Sequence, residues 1–161
     1  MRNIIKIVSI ILMAASPLFA GEGRNADAHN QKSNSVLANG YDVVAYFPEF
    51  GGSAALGLDE FSLDYEGLTY KFSSQENLDE FLNNPDRYEP AHGGFCSYAM
   101  AVGSSGVDIN PRSFIVEEDR LLLFATGTKS RWLQNDHAEQ EEDADLVWED
   151  VSGESARNPN Y

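Results

Sequence analysis

The chain has 161 residues, 26 of them acidic against 11 basic, for a formal net charge of −15. Such a surface repels nucleic acid and anionic membranes, so neither is an expected partner. A single cysteine excludes an intramolecular disulfide, and stability has to come from a packed core.

The first element is a targeting segment. Arg2 and Lys6 precede an apolar run over 7–15, and Ala20 stands before Gly21. A basic start, a short apolar centre and a small-residue end predict a signal peptide cleaved between Ala20 and Gly21, hence a secreted or periplasmic protein. The run is too short for the roughly 20 residues of a membrane span. Cleavage removes two basic residues and makes the rest more acidic still, which suits a cation or a basic protein partner.

Residues 21–35 are polar and aperiodic and read as a flexible tether carrying His29. One domain is expected over 36–151, with a loose tail at 152–161. The apolar run 43–47 stops at Pro48, and a Gly-rich loop follows. Alternation over 61–65 and 68–72 around Glu66-Gly67 predicts a β-hairpin. Ser73 and Glu76 then have the spacing of a capping box, with Ser73 as N-cap and Leu78, Phe81 and Leu82 turned inward up to Pro85. A second hairpin is expected from strands at 113–116 and 121–125, with Glu118-Asp119 as its turn. Helices follow over 127–135 and 138–151, the last acidic but carrying Ala144, Val147, Trp148 and Val151 at helical spacing. The fold class is α+β, a small domain of two β-hairpins packed on several helices.

The sharpest chemistry lies in His92-Gly93-Gly94-Phe95-Cys96-Ser97-Tyr98-Ala99-Met100. Cys96 is expected on a small-residue turn opening a short helix, where a thiol gains acidity. His92 and Met100 stand four residues to either side, and a Cys/His/Met set suits copper. Gly93 and Gly94 let the backbone approach a ligand or form an anion-binding nest. The same residues read equally as core, with the glycines serving only a left-handed turn. Tyr41 and Asp42 complete the ligand-binding candidates, Asp42 also as the cap of a turn. His137 opens the acidic helix among carboxylates that complement its dipole. No nucleophile elbow, phosphate loop or paired-cysteine motif marks an enzyme.

With those residues in view, the chain resembles the YHS domain family in its longer, exported form. The matching frame is Tyr65-Glu66-Gly67-Leu68-Thr69-Tyr70-Lys71-Phe72, Phe81 and Pro85-Asp86-Arg87-Tyr88. The longer form adds an opening, here 40–47, a Gly-Gly-Phe-Cys-like segment, here 92–97, and late tryptophans, here Trp132 and Trp148. The resemblance implies the YHS α+β fold. Where the short, metal-binding form has three cysteines, this chain has Ala45, Ser73 and Asn77, so that metal site does not carry over. The resulting expectation is a binding protein for a soft metal, copper first, or for a small ligand near Cys96. Cys96, His92 and Met100 are the candidate ligands. An acidic interaction module without metal and a thiol-dependent enzyme are the alternatives.

Overall fold

A computed structural model describes residues 24–31 and 35–156. The expected signal peptide at 1–20 and the last residues of the tail lie outside the described residues.

The first hairpin pairs β1 (Leu58–Tyr65) with β2 (Leu68–Phe72) in antiparallel register, Leu63 opposite Tyr70 and Tyr65 opposite Leu68. Glu66 and Gly67 both have positive φ, as a two-residue hairpin turn matching the strand twist requires. Gly57, just before β1, is obligatory for another reason: a Cβ there would lie 2.4 Å from Lys71 Cβ. Leu68, Tyr70 and Phe72 alternate inward and are fully buried. They meet Phe81 of α1 (Gln75–Asn83), whose ring centroid lies 4.7 Å from that of Tyr70 and 5.2 Å from that of Phe72.

Two details of α1 depart from expectation. Its N-cap is Ser74, whose Oγ accepts the Asn77 N–H at 3.2 Å, not Ser73. Leu82 is exposed, because Asn77 and Phe81, one turn apart, define the buried line. A short α2 (Pro85–Tyr88), a 3-10 turn over Ala91–Gly94 and α3 (Ser97–Ala101) follow.

The second hairpin, β3 (Phe114–Glu117) with β4 (Arg120–Leu123), turns on Glu118 and Asp119, both left-handed. All of β4 is buried. Leu121 and Leu123 enter the main core with Phe47, Phe72 and Phe81, while Leu122 packs in a second cluster with Phe124 and Trp132. Burial on both faces of so short a strand carries Arg120 inside as well. The chain closes with α4 (Lys129–Trp132) and α5 (His137–Ser152). Asp136 caps α5 by accepting the Ala138 and Glu139 N–H groups, and α5 buries Ala144 and Trp148 while Val151 stays exposed.

Residues 24–31, expected as part of a flexible tether, are packed against the domain. The Arg24 side chain is 2 % exposed and bridges Glu66 at 2.9 Å and buried Glu89. Asn30 donates its backbone N–H to Gly93 O and its amide to Gly94 O, at 2.9 and 3.0 Å. His29 meets Trp148 edge-on at 5.1 Å and is buried, so it is not the solvated histidine of a loose tether. At the other end, Ser152 is buried and Asn25 reaches both Ser152 O and Glu154.

Candidate functional site

The Gly-Gly-Phe-Cys segment is wound left-handed, with His92 at φ +55° and Gly93 at φ +58°. Gly93 has no alternative, since a Cβ would fall 2.3 Å from Trp148 Cη2. The expected helix start is present: Cys96 is the N-cap of α3, its Sγ accepting the Ala99 N–H at 3.5 Å. That sulfur is buried, and its other neighbour is Thr128 Oγ1 at 3.3 Å.

The other two expected soft-metal ligands face elsewhere. His92 places Nδ1 3.0 Å from Ser97 Oγ and Nε2 2.8 Å from Asp145 Oδ1. Met100 packs with Phe95, Ala144 and Trp148, whereas Cys96 belongs to the main core. Cys96, His92 and Met100 therefore do not converge on one point. Among the described residues no group of three or more His, Cys, Asp or Glu side chains is arranged to hold a metal ion. At Gly93 and Gly94, where close approach of the backbone to a ligand was expected, both carbonyls accept hydrogen bonds from Asn30.

A polar network forms where His92 points. Arg120 donates to both Asp145 oxygens, at 3.2 and 2.7 Å, and to Glu141 at 2.7 Å. An ionised Asp145 only accepts, so His92 carries its proton on Nε2 and its Nδ1 accepts a hydrogen bond from the Ser97 hydroxyl. Burial lowers the His92 pKa below its ordinary 6.5, against the pull of Asp145. For Asp145 burial acts upward, but hydrogen bonds from His92 and Arg120 outweigh it and hold the carboxyl below its usual range. Burial raises Glu141 in spite of Arg120. Ser97 and Asp145 are not legible in the sequence as partners of His92, which is 53 residues from Asp145, nor is Arg120 as the partner of Asp145.

Asp145 and Arg120 form the floor of an open groove of about 450 Å³ between the β3–β4 turn and α5. Six carboxylates line it, those of Glu117, Glu118, Glu141, Glu142, Asp145 and Glu149, against one arginine. His137 stands at one end, its Nδ1 3.2 Å from Glu117 Oε2. Leu146, 59 % exposed, and Ala138 are the apolar side chains among them.

A second cluster surrounds Asp42, which is wholly buried. Its Oδ1 accepts the Val44 and Ala45 N–H groups at 2.9 and 3.2 Å, the turn-capping role expected of it. Its Oδ2 accepts from Ser73 N at 2.7 Å, Ser73 Oγ at 2.6 Å and Asn77 Nδ2 at 2.6 Å. Tyr41 beside it is half-buried and bridges its backbone to Leu56. Positions 45, 73 and 77, where the short metal-binding form carries thiolates, thus lie together. They do not fit a metal that needs thiolates: Ala45 has no donor side chain, and Ser73 Oγ and Asn77 Nδ2 donate to Asp42.

Comparisons with curated proteins and with solved structures find no match. The family model of the YHS domain does match, from Gly57 ahead of β1 through the first hairpin, α1 and α2 to His92. The matched stretch holds Ser73 and Asn77 but ends before Cys96 and before every carboxylate of the groove. Over residues 57–92 the chain is similar to the YHS domain family.

Proposed function

We infer that this is an exported YHS-domain protein whose acidic groove docks a basic segment of a partner protein. The observation that carries the reading is the imbalance of the groove: six lining carboxylates face one arginine, and that arginine is turned onto Asp145 and Glu141. Lysine and arginine side chains of a partner complement such a surface, and the net charge of −15 steers them toward it. Exposed Leu146 adds an apolar contact that a peptide uses and an inorganic cation does not. Export rests on the basic and apolar start of the chain with Ala20 before Gly21.

Copper at Cys96 is the weaker reading. It requires His92 to leave Ser97 and Asp145, and Met100 to leave its cluster with Trp148. Thiol chemistry at Cys96 meets the same obstacle of a buried sulfur.

The test is a titration of the chain from Gly21 with a Lys/Arg-rich peptide and with a neutral peptide of equal length. The account expects binding of the basic peptide alone, weakening steeply with added salt. Charge reversal by Glu142→Lys with Glu149→Lys should weaken it at least tenfold without altering the melting temperature. Equal affinity for both peptides, or an unaffected charge-reversed protein, removes the groove from the account.

A further inference from the structure

We propose that residues 24–31 are a latch, closed by Arg24 in a guanidinium socket of Glu66, Tyr70 and Glu89, and that its closure fixes the floor of the acidic groove. The effect on binding rests on the groove reading above; the latch itself does not.

The socket is built for a planar, forked cation. Arg24 turns Nε to Glu66 at 2.9 Å and Nη1 to Glu89, and its side chain and that of Glu89 are each 2 % exposed. Buried Tyr70 donates its hydroxyl to the other Glu89 oxygen at 3.2 Å. Two carboxylates set in different directions match the guanidinium fork, whereas an ammonium is a single point charge. The cation that neutralises Glu89 stands 65 residues away in the chain, on a segment held by side-chain contacts and not by strand pairing. A buried carboxylate stranded without its cation is costly, so Arg24 and the rest of the arm close together.

The closed arm reaches the groove by two routes. Asn30, wholly buried, gives its backbone N–H to Gly93 O and its amide to Gly94 O, at 2.9 and 3.0 Å. These bonds hold the left-handed turn from which His92 meets Asp145 at 2.8 Å. The second route runs through α5, which carries Asp145 and Glu149: Asn25 donates to Ser152 O at 2.9 Å, and His29 meets Trp148 edge-on. With Arg24 out of its socket both sets of contacts go, and the groove loses the supports that orient Asp145. That difference in contacts between the closed and open arm is what couples it to binding.

The experiment compares the chain from Gly21 with its Arg24→Ala and Arg24→Lys variants. It reads the melting temperature, the Trp148 indole N–H resonance and the affinity for a Lys/Arg-rich peptide. Arg24→Ala should melt about 10 °C lower, move the Trp148 resonance while leaving that of Trp132, and bind the peptide about fivefold more weakly. Millimolar ethylguanidinium, which replaces the atoms that Arg24→Ala removes, should restore its melting temperature and Trp148 resonance and leave the wild type unchanged. Ethylammonium should restore less, and Arg24→Lys should fall between the other two proteins, since each keeps the charge and loses the fork. An unmoved Trp148 resonance in folded Arg24→Ala overturns the latch, as does equal rescue by the two cations. A moved resonance with unchanged peptide affinity overturns the link to the groove. A wild type that binds no peptide overturns the groove reading instead, and the Trp148 resonance and the rescue still decide the latch. Should Arg24→Ala fail to fold, Arg24→Lys decides by the same three readouts.

Discussion

The Asp42 cluster and the acidic groove are both built on carboxylates, and they are opposite solutions. At Asp42 one anion meets five donors and is closed to water. In the groove Arg120 pairs with Asp145 and Glu141, while Glu142 and Glu149 on the rim are exposed to solvent. A saturated anion holds a fold together and has nothing left to bind with. An unsaturated set adds little to the fold and keeps its capacity for a partner. The two are separated along the chain as well, since the YHS match contains Ser73 and Asn77 and none of the groove.

The comparison breaks most visibly at Arg120, where the groove does have a buried element. Arg120→Met leaves Asp145 and Glu141 without their cation inside the fold and should cost about 3 kcal/mol in denaturant unfolding. A loss under about 1 kcal/mol would mean that the floor of the groove is as dispensable as its rim.

The next effect is a dependence on pH. His92 has a lowered folded pKa, so the unfolded chain takes up its proton first and stability falls as the pH drops below about 6.5. Asp145 is also depressed, and its contribution, complete above the ordinary carboxylate value near 3.8, is lost at lower pH. Glu141, raised by burial, works in the opposite sense and gains as it is protonated. Unfolding curves from pH 8 to pH 4 should therefore show declining stability. His92→Gln should flatten the part nearest pH 6.5 and leave the rest. A wild-type profile flat through pH 6.5 contradicts the buried neutral imidazole.

Cys96→Ala comes third. The thiol is a small buried group that caps α3 and meets Thr128, so its loss should cost about 1 kcal/mol. Alkylation of native protein should run far slower than that of denatured protein; equal rates would reopen thiol chemistry at this position. The smallest effect is on the rim, where Glu142→Lys should move stability by no more than about 0.5 kcal/mol, checked by the same unfolding curves.

Much of this was legible in the sequence because it is local. Glu66-Gly67 between alternating strands, the acidic helix with Trp148 one turn after Ala144, and Cys96 at the start of α3 all follow from spacing within a few residues. Ser73 and Ser74 are equally good caps by pattern, and only Asp42, 31 residues away, decides between them. Residues 24–31 pack through single polar side chains such as Arg24 and Asn30, which leave no apolar period to read. His92 looked like a partner of Cys96 because both lie in one short motif. The left-handed turn at His92 and Gly93 goes with an imidazole directed toward Asp145 instead.

The most direct test of the contrast is a map of where a basic peptide touches the folded protein, by amide chemical-shift changes during titration. The account predicts shifts at Glu117, Glu141, Asp145 and Glu149, with Ser73, Asn77 and Cys96 unmoved. Shifts centred on Ser73, Asn77 or Cys96, with α5 silent, would contradict it.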